Sequence, residues 1–354
     1  MTPYHRLARE TPGFEHWRLP VAALAGVGVY GTVSVAFVIV WMLGMVVAGA
    51  DADAFLDAAG TEIALARPSV LAFQLLSIAL LIPCVLGPVA VVWRRHVGYL
   101  HSVEGRLRWG WLGRCSLLAF AVVALGLGLS VVVDAATGGS LEVAPLDGTG
   151  VATILVVLLV VPFQAAAEEY VFRGGLLQLV GSWTRWAVVP VVVTSLLFAA
   201  GHLYDFWGLF SVFLFGVVAC VLTIRTGGLE AAIGLHVANN VVLMVLDVLG
   251  FVDSTGEGAG LVDGVLPSLA MTLVFWGLVE WMARRTGLAR RREPLPEPPP
   301  VPLYRVVPPP PYVPAGLPPA PQPVAPQPFP AAVSRPEPPP NAPSYPGDPG
   351  VWTR

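Results

Sequence analysis

Apolar runs of bilayer-crossing length recur along this chain from Val21 to about residue 283, and that repetition restricts its possible folds more than any other feature. The runs stand at 21–48, 69–93, 115–136, 151–180, 186–203, 206–224, 229–250 and 265–283. Each is near the ~20 residues that a helix needs to span a bilayer. Of the 354 residues, 55% are hydrophobic and 12% charged, a mixture far from that of a soluble domain of this length. The expected fold is therefore an all-α, polytopic transmembrane bundle of about eight helices. Residues 1–19 form a polar segment ahead of it, and Val21 to Ala48 is too long to be the short apolar core of a cleaved signal peptide.

The loops sort by charge. Every basic residue is Arg, with no Lys. Arg94, Arg95, Arg106, Arg108 and Arg114 follow the second run, Arg185 the fourth, Arg225 the sixth, and Arg284, Arg285 and Arg290 to Arg292 the eighth. The loops after the odd-numbered runs instead hold Asp51, Asp53, Asp57, Glu62, Glu142, Asp147, Asp205, Asp253, Glu257 and Asp263, with Arg67 the one basic exception. Positive charge is retained on the cytoplasmic side, so this alternation places the chain in the cell membrane with both termini cytoplasmic.

The last segment is a different material. From about Glu293 it holds 25 of the 35 prolines, which neither continue a helix nor donate a backbone hydrogen bond. Residues 287–354 are expected to be a disordered, Pro-rich cytoplasmic tail with polyproline II character, either a spacer or a ligand for a cytoplasmic partner. The transmembrane domain is then 20–286. Cys84, Cys115 and Cys220 lie in apolar runs, where a thiol acts as a small hydrophobe, and no disulfide framework is visible. The dispersed Arg residues give no nucleic-acid site.

Chemistry enters with Ala166-Ala167-Glu168-Glu169-Tyr170-Val171-Phe172-Arg173-Gly174-Gly175, which follows the apolar stretch Val151 to Phe163 without a turn. One ionised side chain at the centre of a membrane helix costs roughly 2.5 to 3.5 kcal/mol, so such groups are kept for a pathway, a partner or a reaction. Glu169 and Arg173 make an i,i+4 pair, which leaves Glu168, about 100° round the helix, free of that partner. Only His202 and His236 lie inside or at the ends of runs. His202 closes Phe198-Ala199-Ala200-Gly201-His202; His236 and Asn240 share a helix face. A buried carboxylate can accept a proton from water, a neutral His can position that water, and a His with an Asn amide can hold an oxyanion. These are the parts for hydrolysis of a peptide bond inside a membrane.

Glu168-Glu169-x-x-x-Arg173, Phe198-x-x-x-His202 and His236-x-x-x-Asn240, in this order on successive spans, resemble the CPBP family: the CAAX proteases and bacteriocin-processing or immunity proteins related to type II CAAX prenyl endopeptidases. The resemblance covers about 110–285, a protease-like core. It implies an intramembrane glutamate-type endopeptidase acting on a membrane-associated peptide or protein. Glu168 and His202 would activate water, His236 and Asn240 would stabilise the oxyanion, and Glu169 and Arg173 would support them. No cofactor is implied, with zinc as an alternative because Glu and His are ordinary zinc ligands. The competing reading is a catalytically silent scaffold or immunity protein that binds partners through the Pro-rich tail.

Two decoys fall away. Gly26-Val27-Gly28-Val29-Tyr30-Gly31 matches GxGxxG but sits in an apolar run without a βαβ unit, where small residues serve close helix packing. Tyr204-Asp205 lacks the GxGD partner of an aspartyl site. On straight spans Glu168, His236 and His202 would stand at depths on the order of 10 to 20 Å apart. A fourth span continuing to Val180 and a short or irregular fifth would bring them level.

Overall fold

The computed structural model describes residues 1–60, 63–138, 143–253 and 260–293. Glu62, Glu142, Glu257 and the Pro-rich stretch from residue 294 lie outside the described residues. In chain order the elements are β1 Thr2–Pro3, α1 Leu7–Glu10, α2 Arg18–Val47, α3 Ala52–Ala59, α4 Pro68–Ala79, α5 Leu81–Trp93, α6 Trp109–Ala136, α7 Gly148–Glu169, α8 Leu177–Gly181, α9 Val188–Ala200, α10 Phe206–Thr226, α11 Glu230–Val248, α12 Leu266–Arg285 and β2 Arg291–Arg292. The architecture is a helical membrane bundle. Among the described residues, seven helical stretches are long and apolar enough to cross a membrane, three of them joined from shorter pieces: Pro68–Leu100, Gly148–Gly181 and Leu261–Arg285. A helix satisfies its own backbone hydrogen bonds, which is what a hydrocarbon solvent demands. Large apolar side chains such as Leu24, Leu117, Leu125 and Leu159 stand exposed around the outside, as lipid-facing surface does.

Three departures from straight spans shape the interior. The second expected span breaks at Leu80 into α4 and α5, because Pro83 cannot donate to Ala79 and its ring crowds that carbonyl. The fourth continues beyond α7 through a π-helical turn, Tyr170–Leu176, into α8, so one helical path runs from Gly148 to Gly181. The π turn adds a residue to the helical repeat directly behind Glu168 and Glu169, and such turns recur at functional sites. The fifth expected span, 186–203, is only the 13-residue α9, the shorter apolar helix. At 1.5 Å per residue α9 rises about 20 Å against a hydrocarbon core of about 30 Å, so it falls short of a full crossing.

Glycine allows the close contacts that hold the core. A Cβ on Gly234 of α11 would lie 3.0 Å from the Ser116 backbone nitrogen of α6, and one on Gly216 of α10 would lie 3.1 Å from the Ser195 Cβ of α9. Helices whose backbones approach this closely gain dispersion contacts where no hydrophobic drive exists between lipid and protein. Of the GxGxxG glycines, Gly26 meets the Cys84 carbonyl of α5, while Gly28 and Gly31 face open space.

The arginine-rich end of the bundle is tightly built. Arg108, read from sequence as a loop charge, is buried against Glu230, with Nη2 to Oε2 at 2.7 Å and Nε to Oε1 at 2.8 Å, and its Nη1 also donates to the Ala289 carbonyl. Glu280 collects Arg225, Arg284 and Arg290. The polar N-terminal segment carries buried Tyr4, Leu7 and Ala8; Tyr4 donates to the Leu100 carbonyl, and Thr2–Pro3 pairs antiparallel with Arg291–Arg292. Residues 287–293, assigned on composition to the tail, therefore begin as part of this end.

Candidate active site

Three helical paths bring their polar side chains to one place. From the end of α7, Glu169 is fully buried and receives Arg173 Nη1 at 2.8 Å. Arg173 is itself buried, donates to the Gly216 carbonyl at 3.4 Å and lies 4.3 Å over the Phe198 ring, so its charge is met by a carboxylate, a carbonyl and an aromatic face. His236 of α11 donates from Nδ1 to Glu169 Oε1 at 2.8 Å. An ionised carboxylate only accepts, so this contact puts the proton on Nδ1 and turns Nε2 toward Glu168, whose Oε2 is 3.4 Å away. Glu169 thus orients both the guanidinium and the imidazole, and Glu168, unpaired with Arg173, meets the second imidazole nitrogen.

His202 stands just past the C-terminus of α9. Its Nδ1 lies 2.9 Å from the Phe198 carbonyl, which only accepts, so Nδ1 carries the proton and Nε2 is left as the free nitrogen. One nitrogen of His202 thus closes the helix while the other is available. Phe198 is the hub of the aromatic contacts, edge-on to His202 at 4.9 Å and to His236 at 5.7 Å between ring centres. Asn240, one turn beyond His236, donates from Nδ2 to Gln164 Oε1 at 3.4 Å and accepts from Asn239 at 3.2 Å.

A cavity of about 560 Å³ joins these groups, lined by Glu168, His202, His236, Asn239, Asn240 and Gln164. Leu75, Ile78, Met244 and Met271 supply apolar wall. All four side chains singled out from sequence for chemistry face this one space, and Glu169 and Arg173 stand behind it. His202 and His236 both pack edge-on against Phe198, so the long α7 path and the short α9 bring their groups to one cavity. Among the described residues no group of three or more His, Cys, Asp or Glu side chains is arranged to hold a metal ion.

Sequence reasoning passed over Gln164, which precedes Glu168 by one turn and is buried; a polar residue at i−4 in an otherwise apolar run was the available signal. It also left His101 as a loop residue, whereas His101 Nδ1 lies 2.6 Å from the Tyr170 hydroxyl at the start of the π turn. Burial lowers the pKa of His101, against the opposing pull of Glu230.

These features define a class: a helical membrane protein whose polar core is built on a Glu-Glu pair, two histidines and an asparagine. Residues 150–242, which include every one of those positions, match the family model of the type II CAAX prenyl endopeptidases, Rce1-like. The likeness drawn from the three motifs therefore holds over that segment. The uncharacterized protein YyaK of Bacillus subtilis (strain 168) is 30% identical over 144 residues, 36% of this chain and 48% of the relative. An uncharacterized 24.3 kDa protein of Escherichia coli is 36% identical over 89 residues, 24% of this chain and 39% of the relative. The chain thus spans at most about half the length of these curated relatives. No solved structure matches it.

Proposed function

We propose that the protein is an intramembrane glutamate-type endopeptidase that hydrolyses a peptide bond of a membrane-associated peptide or protein. The observation that carries this reading is the convergence of Glu168, His202, His236 and Asn240 on one cavity, with Glu169 and Arg173 ordering it from behind. Glu168 takes a proton from a water held against His202 Nε2. The resulting hydroxide adds to the scissile carbonyl carbon, and the oxyanion is held by the Asn240 amide and by His236 while Glu168 keeps the proton. The C–N bond then breaks as Glu168 returns the proton to the leaving amine, giving a new carboxylate and a new amine. The arginine-rich end lies at the cytoplasmic face, with both chain termini there, and the bilayer is the medium in which enzyme and substrate meet. The chain's own residues supply every proton step in this scheme, and zinc is the alternative that a chelator tests.

The test is cleavage of a panel of membrane-inserted peptides by the purified protein, with and without chelator. Cleavage that survives chelator and falls by about 10² to 10⁴ in Glu168→Gln supports the scheme. Intact peptides with folded wild-type protein, and a cellular phenotype that survives Glu168→Gln but not removal of residues 294–354, would transfer the function to the scaffold reading.

A further inference from the structure

The cavity that holds the candidate active site has a direction. On α11 its wall is His236, Asn239, Asn240, Leu243 and Met244, positions i, i+3, i+4, i+7 and i+8 on one face of the helix. Past α11 the wall continues to Val252 and Asp253, and other elements add Asp205 and Asp263. The space is therefore polar at its floor, apolar through its middle and acidic at its far end. The exposed members of the wall, among them Ile63, Leu203, Asp205, Asp253 and Asp263, belong to that far end, where the chain holds its acidic loops. No arginine lines the cavity; Arg67, the basic exception of those loops, donates to the Ala54 carbonyl instead. Asp205 and Asp263 each use one oxygen as a cap, toward Gly208 N at 2.7 Å and Gly260 N at 2.9 Å. No ion pair among the described residues engages either of them.

Toward the arginine-rich end the same cavity is shut. The α11 residues from Glu230 to Ala238 are buried without a break, and Arg108 ties Glu230 to the Ala289 carbonyl. Behind the floor Glu169 and Arg173 are fully buried. We propose, resting on the proteolytic reading of this cavity, that its substrate enters from the extracytoplasmic face and carries a basic residue about five or six positions from the scissile bond. The spacing follows from geometry. From His236 to Val248, α11 rises roughly 18 Å, and an extended chain advances about 3.3 Å per residue. With its scissile carbonyl at Glu168, such a substrate lays an apolar stretch against Leu243, Met244 and Met271 and brings its cation to the carboxylates at the rim. The substrate class is thus a membrane-anchored peptide with Arg or Lys on its outer flank.

Two measurements on the full chain test this. In spheroplasts, a membrane-impermeant maleimide reads the opening, since Cys84, Cys115 and Cys220 are buried. Ser211→Cys and Ser268→Cys, both in the wall, should label from outside, and Arg114→Cys, at the opposite end, only after lysis. Labelling of the two wall positions only after lysis, or not at all, overturns the entry face. The second measurement uses purified Glu168→Gln protein carrying Ser211→Cys, with apolar peptides that bear Arg or Glu six residues from their centre. The Arg peptide should protect against labelling about fivefold better, the scale of one exposed ion pair. Equal protection overturns the basic preference. Asp205→Asn with Asp263→Asn removes charge and keeps both caps, and should erase the difference. A difference that persists overturns the part given to these carboxylates. Protection needs no cleavage, so Arg-selective protection with every peptide left intact by the wild type refutes the protease and spares the entry route.

Discussion

At the scale of single residues, the interior works because each buried charge is met. Glu169 and Arg173 are both fully buried, and removing one partner leaves the other charged in a medium of low dielectric. Arg173→Met should lower stability by about 3 to 5 kcal/mol, measured by denaturation in detergent, whereas Glu168→Gln, which has no guanidinium partner, should leave the melting temperature nearly unchanged while removing cleavage. If both substitutions unfold the protein alike, the division between a supporting and a reacting carboxylate is wrong. That division was legible in the i,i+4 spacing of Glu169 and Arg173. The bridging role of His236 was not, since it depends on which faces of α7 and α11 meet.

At the scale of elements, the site depends on backbones that come unusually close. Gly234 lies where α11 crosses α6, two residues before His236 on the same helix, and there is no space for a larger side chain. Gly234→Val should push α11 outward and reduce cleavage in parallel with thermal stability; cleavage retained at the wild-type rate would show that the crossing does not set the site. Gly181 of α8 plays the matching part for the N-terminal segment, since a Cβ there would collide with the His5 carbonyl. Gly181→Ala should release that segment and expose Arg6 and Arg9 to trypsin, a change visible by mass after brief digestion. The apolar run at 186–203 foretold a helix but not its length. Its end is decided locally, where Gly201 follows Ala200 and His202 turns back to the Phe198 carbonyl.

At the scale of the whole molecule, the two ends of the described chain are tied together at one face, through β1 with β2 and through the buried Tyr4 and His5. Burial, with Arg6 and Arg291 nearby, lowers the pKa of His5 to about 4 from an ordinary value near 6.5. The docked segment therefore refuses a proton that the released segment accepts. Docking is strongest above about pH 6.5, weakens as pH falls toward 4, and changes no further below that. Melting of the wild type should show this decline between those limits, and His5→Gln should flatten it; an unchanged slope in the variant would assign the dependence elsewhere. The sorting of Arg to alternate loops was plain in the sequence, but it identified a face and not a structure. Arg108 appeared there as one topological charge among many, and only packing made it the partner of Glu230.

What the sequence determined by itself was periodic and local: which runs were long and apolar enough for lipid, which charges interrupted them, and which pairs shared a helix face, because these follow from the fixed geometry of one helix and the solvent around it. Tertiary structure alone decided how deep each group stands and what it faces. The π turn after Glu169 and the approach of α11 to α7 are outcomes of packing between segments far apart in the chain. Through them Glu168, His202, His236 and Asn240 share one cavity, a relation that no spacing within a single helix encodes.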